Sequence, residues 1–448
     1  MSIAYGGIVA FFFRGLNLLV ALATVVITSH ALGAGGRGVF FLGVTAVGIV
    51  AALTGGLTAA AAYQVSNQRR EPGVVLLNGG VTGASLGAVA VVAGFAGTSV
   101  LSGEASSVSI AVGASSAAVI LNSVLAGVFL GHGALVRYNL ALVVPPFLSL
   151  TGITVVFYGL GRQTPESALA AFAVGQWLTL PFLALLGSRT GIVQRVRFEG
   201  TLARAILRFG LVAGISSGIS FLNYRADSFV VQHFEGKSGV GVYSNAVYIA
   251  ESVWQVSGSL ALAAYARVGS LDQDAAADLT LRIMRHTLVI LAAVALGLFL
   301  AAGLIVRVLF DPEFAGAASA LRYLLPGVWL YGLAAAFSGY YTYQRGKPWA
   351  AAVVAGGGLA IDIAFAIVLV PRMGVNGAAL ASSIAYGVAM TGAVLVFARG
   401  THRNPLDVLL FRRSDLEDYR TLVTRVRAVL ARQGPAVSPP PRPPDGGG

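Results

Sequence analysis

The chain reads as an all-α membrane protein of about twelve transmembrane helices in two halves of six. Three observations predict this. Of its 448 residues, 56% are hydrophobic and only 11% charged, whereas soluble domains carry about 25% charged residues. Apolar runs of roughly twenty residues recur between tight polar breaks, the length a helix needs to cross the hydrocarbon core, which indicates helices and not a barrel. Finally, HALGAGGRGVFFLGV (30–44) aligns without gaps with HFEGKSGVGVYSNAV (233–247), sharing one His, three Gly and two Val.

The spans are expected at about 5–31, 38–66, 74–99, 108–131, 139–159, 167–187, 206–234, 240–266, 283–308, 320–343, 349–370 and 375–398. Each copy of the repeat forms the hinge from an odd helix into the next. The offset covers six helices, an even number, so the halves share one orientation and form a parallel repeat about an axis along the membrane normal. The domain reading follows: a first lobe 1–188, a basic cytoplasmic linker 189–205, a second lobe 206–400, and a tail 401–448.

Charge sets the orientation. With the N-terminus inside, most of the 30 basic residues fall in cytoplasmic segments. Only Arg37, Arg162, Lys237, Arg307, Arg322 and Arg372 fall outside, while Arg14 and Arg225 are intramembrane. The positive-inside rule therefore puts both termini in the cytoplasm. The net charge of +12 reflects this asymmetry and does not point to a nucleic-acid partner. The first helix has no basic leader or cleavage site before it and is expected to be retained. The chain has no cysteine, so disulfides and thiolate chemistry are excluded. The linker SRTGIVQRVRFEGTLARAILRF (188–209) is basic and amphipathic, suited to the cytoplasmic leaflet. In the tail, Leu416, Tyr419, Val423, Val426 and Leu430 recur at helical spacing, before a disordered Pro- and Gly-rich end.

Ionisable residues inside the spans are costly and are the candidates for function. In the first helix Arg14, Asn17, Ala21, Thr24 and Thr28 form one stripe, with Arg14 placed near mid-bilayer. It either lines a cavity or pairs with a neighbouring acid. In the seventh helix Ser216, Ser220, Asn223 and Asp227 share a stripe, and Arg225 points almost the opposite way. Arg225 is expected to be a structural charge that finds Glu251 or Asp362. In the eighth helix Ser244, Tyr248, Glu251 and Gln255 share a face. Asp227 and Glu251 are the candidates for binding a coupling proton or cation, Glu251 serving equally well as a neutraliser of Arg225. Asp362, one turn after Gly358, is read as structural. The chain has no phosphate-binding loop of the form GxxxxGK[ST]. Before the tail, no loop exceeds about twenty residues or gathers a catalytic group, so an enzyme, a cofactor and a metal site are not expected.

Three further stretches carry a resemblance. YRADSFVVQHFEGKSGVGVYSNAVYIAESVWQVSGSLALAAYARV (224–268) resembles the seventh and eighth helices of bacterial polysaccharide (O-antigen-type) flippases of the multidrug/oligosaccharidyl-lipid/polysaccharide (MOP) exporter superfamily. LRYLLPGVWLYGLAAAFSGYYTYQRGKPW (321–349) and VPRMGVNGAALASSIAYG (370–387) resemble their tenth to twelfth helices, and HALGAGGRGVFFLGV resembles their first hinge. The likeness covers roughly residues 1–400. It implies two six-helix lobes around a central cavity, in the bacterial cytoplasmic membrane. It further implies alternating access that moves an undecaprenyl-diphosphate-linked oligosaccharide outward for export of a surface polysaccharide. The partners implied are the lipid-linked glycan, membrane lipids and the polysaccharide polymerase or assembly proteins. Family members hold the diphosphate with cationic side chains; Arg14 best fits that role, with Asn17 and Asn223 as further substrate contacts. The chain departs from the family in being sparsely basic and in carrying Asp362 where relatives often have Asn. Two other readings stay open: an ion-coupled exporter of small cationic compounds, and a non-transporting scaffold of a polysaccharide-assembly complex.

Overall fold

The computed structural model describes residues 3–101, 106–188, 195–347, 349–409 and 415. These residues form fourteen α-helices and no strand: α1 (Ile3–Thr54), α2 (Gly56–Ser66), α3 (Pro72–Leu101), α4 (Ser106–Gly131), α5 (Leu135–Thr154), α6 (Pro165–Ser188), α7 (Gly200–Leu222), α8 (Ala226–Glu251), α9 (Trp254–Ser270), α10 (Gln273–Leu309), α11 (Gly316–Tyr331), α12 (Ala334–Gly339), α13 (Trp349–Met373) and α14 (Val375–Thr401). Ten stretches of the described residues are long and apolar enough to span a membrane. The first of them, Phe12–Ser66, contains two spans because α1 is broken at Gly33. The charged pair α8–α9 supplies one more, and twelve spans result.

The repeat seen in the sequence is the hinge of each lobe. Its register sets Gly33 on Gly236. Gly33 has φ 64° and ψ 177°, and Gly236 has φ 67° and ψ −167°. That region of conformational space is essentially reserved for glycine. Each break joins an odd span to the next. In α8 the two ends, Arg225 and Glu251, meet at 2.6 Å, so this helix is a hairpin and not a rod.

The hinges also pack on each other. A methyl group at Gly38 would lie 1.9 Å from Lys237 O, and one at Gly241 would lie 2.0 Å from Ala34 O. The repeat matches Gly38 with Gly241 and Ala34 with Lys237, so this is one contact made twice across a pseudo-two-fold axis. Small residues permit this backbone approach, as they do generally between membrane helices. Buried Val25, Ala34 and Phe41 of α1 accordingly belong to the second lobe's apolar core. A second seam joins the lobes at the other end, where a methyl on Gly214 of α7 would meet Leu53 O at 1.8 Å and one on Gly56 would meet Gly210 O at 2.0 Å.

Three expectations are corrected. The seventh and eighth spans are not continuous: turns at 223–225 and 252–253 interrupt them, so the polar stripes read on each do not run along one helix. Arg37, assigned to an outer loop, lies in helical backbone at 1% exposure. Glycines on either side of it made that segment look like a loop. The linker ends earlier than expected, since 200–205 are already the start of α7. Residues 195–199 are non-helical, and Asn78 of α3 clips them: its Oδ1 accepts from Glu199 N–H at 2.8 Å and its Nδ2 donates to Arg197 O at 2.8 Å. Residues 189–194 lie outside the described residues.

In the tail, Asp415 returns to α10. Arg285 Nε and Nη2 donate to its carboxylate at 2.7 and 3.0 Å, and the Asp415 side chain is fully buried. The amphipathic helix expected over 416–430 and the Pro-rich end lie outside the described residues.

Candidate functional site

A cavity of about 280 Å³ opens in the second lobe between α7, α9, α11, α12, α13 and α14. Tyr224, Trp254 and Tyr331 form one wall, with the hydroxyls of Ser220, Ser257 and Ser338 around them. Among the described residues its lining carries neither an acid nor a base. The breaks between α7 and α8, α8 and α9, and α11 and α12 create this wall, because Tyr224, Trp254 and Tyr331 sit at or beside them. The rings are fixed in place. Trp254 lies 5.2 Å from Tyr224 and 5.4 Å from Tyr331, and Tyr386 backs both Trp254 (5.8 Å) and Tyr331 (4.6 Å). Trp254 Nε1 donates to Val328 O at 2.9 Å.

Arg14 stands at this cavity from the opposite lobe. Its Nη1 would lie 3.3 Å from a methyl placed on Gly258, one of the lining residues, and its side chain is exposed. Its depth differs from the mid-bilayer expectation. Nineteen residues separate it from the Gly33 hinge, about 28 Å at ~1.5 Å per residue, close to the full ~30 Å core. Arg14 therefore sits near the boundary opposite the hinges. The sequence reading counted from the start of the helix and not from the hinge. Asn17 is also exposed. Asn223, expected to meet substrate, is instead fully buried; its Nδ2 donates to Tyr331 Oη at 3.1 Å and orients that ring.

Arg225 and Glu251 form a bidentate pair at 2.6 and 2.8 Å, with side chains 13% and 16% exposed. Arg225 lies eleven residues from Gly236, about 16 Å along the helix and so near mid-core. Asp362 is not its partner. The Arg225 guanidinium also faces the rings of Phe41 and Tyr248, each at 5.9 Å. Arg37 faces the same two rings at 5.8 and 5.4 Å, and its Nε donates to Asn245 Oδ1 at 3.3 Å. Asn245 Nδ2 in turn donates to Ser29 Oγ at 2.9 Å. This polar joint between the lobes was missed from the sequence; its signal was Asn245, a buried amide inside the second copy of the repeat.

The remaining acids come together. Asp227 and Asp362 are 2% and 0% exposed and are bridged by Ser382, whose Oγ lies 2.9 Å from Asp227 Oδ2 and 3.1 Å from Asp362 Oδ1. Tyr243 Oη donates to Asp227 Oδ2, and Ser228 Oγ donates to Asp227 Oδ1 at 3.2 Å. All these partners are hydroxyls, each with a single proton. Ser382 cannot donate to both carboxylates at once. Asp362 Oδ2 and the nearby Asn223 Oδ1 are buried without a partner. Asp227 was read on a stripe with Ser216, Ser220 and Asn223, Asp362 lay alone in another apolar run, and Ser382 was not singled out; only the fold joins them.

Comparisons with known proteins agree with this architecture. Residues 150–319 match the family described as "Polysaccharide biosynthesis protein". No curated protein matches the chain. Among solved structures, the chain is similar to an inward-facing multidrug-resistance MATE-family transporter of the MOP superfamily, with TM-score 0.74 and 18% identity over 88% of this chain and 98% of that one. It is similar to an outward-facing MATE transporter with TM-score 0.65 and 20% identity over 88% and 94%. It is also similar to the lipid II flippase MurJ in an inward closed conformation, with TM-score 0.70 and 15% identity over 91% and 89%. The fold is thus the multi-pass helical architecture that MOP-superfamily transporters share. The match over residues 150–319 to the polysaccharide-biosynthesis family agrees with the resemblance read from the sequence.

Proposed function

We propose that the protein is a flippase that moves an undecaprenyl-diphosphate-linked oligosaccharide across the bacterial cytoplasmic membrane by alternating access. The observation that carries this reading is Arg14, an exposed guanidinium from one lobe placed against the cavity wall of the other. With the N-terminus in the cytoplasm, the Gly33 and Gly236 hinges face outward and Arg14 lies at the level of inner-leaflet headgroups. A guanidinium stays charged there and offers a fixed fork of donors to phosphate oxygens.

Coupling is assigned to Asp227 together with Asp362, whose shared hydroxyl, beside the unpartnered Asp362 Oδ2, suits a proton or small cation. Asp362 thereby moves from a structural role to the coupling site. Glu251 is held in the pair with Arg225 and acts as its neutraliser. An exporter of cationic compounds would place an acid on the cavity wall; here the acids are buried outside it and a cation stands at its edge. The test is complementation of a flippase-null strain, with membrane abundance checked by immunoblot. Arg14→Lys should be partly active, and Arg14→Ala and Arg14→Glu inactive at normal abundance. An active Arg14→Glu variant refutes the role, because a carboxylate there repels a diphosphate.

A further inference from the structure

The aromatic wall of the cavity has no task in holding a diphosphate or a coupling ion. Trp254 and Tyr224 are partly exposed on it, while Tyr331 and Tyr386 are 5% and 3% exposed and serve as backing. The exposed faces are pre-organised: Trp254 is pinned by its bond to Val328 O, and Tyr331 by Asn223. Flat rings edged by hydroxyls suit a ligand with one face of weakly positive C–H groups and a rim of hydroxyls. The negative face of an aromatic ring attracts such C–H groups, and the hydroxyls of Ser338 and of Ser220, whose own proton goes to Ser216 O, can accept from the rim. A pyranose ring has this chemistry. A lipid tail would gain nothing from the hydroxyls. A small cation would find the ring faces attractive, but it would have to pass Arg14 and would meet no acid on the wall.

We propose that this cavity is a sugar subsite, in which Trp254 and Tyr224 stack on the sugar ring nearest the diphosphate held by Arg14. The inference rests on the flippase reading and adds the recognition of the glycan to it. The volume of about 280 Å³ lies just below the ~300–1,000 Å³ usual for small-molecule sites. It admits one or two rings, with the rest of a longer glycan left in the space between the lobes. Arg14 lies against Gly258 at the cavity, so a diphosphate on its guanidinium would put the first sugar directly before Trp254. The wall therefore reads the sugar at the reducing end, and the outer sugars go unread.

Binding of synthetic probes to the purified full-length protein tests this. The probes are farnesyl diphosphate, farnesyl-diphosphate-linked N-acetylglucosamine, and tetraphenylphosphonium as a lipophilic cation. The wild type should bind the sugar-bearing probe about ten-fold more tightly than the bare diphosphate. Trp254→Leu should erase that advantage while leaving the bare diphosphate bound as before, and Trp254→Phe should keep most of it. Arg14→Ala should weaken both anionic probes. An unchanged sugar advantage in Trp254→Leu, or a wild type that binds both anionic probes equally, overturns the sugar subsite and leaves the flippase reading standing. A wild type that binds neither anionic probe, or prefers the cation, overturns both.

Discussion

The reciprocal contact between the hinges gives a prediction that the geometry quantifies. Ala at Gly38 or at Gly241 would bring a methyl to 1.9 or 2.0 Å from a carbonyl oxygen of the other lobe. Ordinary C···O approaches at helix interfaces are about 3.3–3.6 Å, so the hinge backbones must part by roughly 1.4 Å. Overpacking of this kind costs about 1–3 kcal/mol, and about 2 kcal/mol changes an equilibrium some 30-fold. The strain falls on the state in which the hinges touch, so either substitution should populate the state in which they separate. Because the two contacts are equivalent in the repeat, the two variants should act about equally. The chain has no native cysteine, and His30 and His233 are both exposed at matched positions. Spin labels on His30→Cys and His233→Cys therefore report the hinge separation by pulsed electron resonance in liposomes. The parent should show one short distance, and each glycine variant should add a longer one. An unchanged distance in both variants, or an effect confined to one, refutes the pseudo-symmetric closure.

Two further outcomes follow from the acids and the buried arginine. Arg225→Ala and Glu251→Gln should each cost about 3–5 kcal/mol by leaving a buried charge alone, seen as a lower yield of folded protein in detergent, whereas the double variant Arg225→Met with Glu251→Leu should recover much of the loss. If Arg225→Ala keeps full abundance and loses transport, the residue acts on substrate and the structural assignment fails. Asp227→Asn and Asp362→Asn should leave abundance near normal and abolish the dependence of transport on an ion gradient, measured in proteoliposomes with imposed proton or sodium gradients. Wild-type gradient dependence in both variants contradicts the coupling site.

Much of the architecture was legible in the sequence because hydropathy and glycine placement are local signals. Twelve apolar runs gave twelve spans, and the shared Gly33 and Gly236 marked the two hinges because their backbone angles admit little else. Long-range pairing was not legible. Asp227, Asp362 and Ser382 lie on α8, α13 and α14, and nothing in their own segments announces the shared hydroxyl. Arg37 was misplaced for a related reason: a charge among glycines reads as a loop until Asn245 and Tyr248 are brought to it. The helix breaks at 223–225 and 252–253 carry no proline, so periodicity ran straight through them. The partner choice of Arg225 was half legible. Its direction excluded Asp227, but only the hairpin at Gly236 decided between Glu251 and Asp362.

Direct measurement of translocation tests the central claim. Purified full-length protein is reconstituted into liposomes with an undecaprenyl-diphosphate-linked oligosaccharide, and the fraction of glycan reaching the opposite leaflet is read with a membrane-impermeant oxidant of sugar diols. Wild-type protein should move the lipid-linked glycan, Arg14→Ala should move it no faster than protein-free liposomes, and a lipophilic cation should not be moved by either. Cation transport with no movement of the glycan, or glycan movement unaffected by Arg14→Glu, would contradict the account.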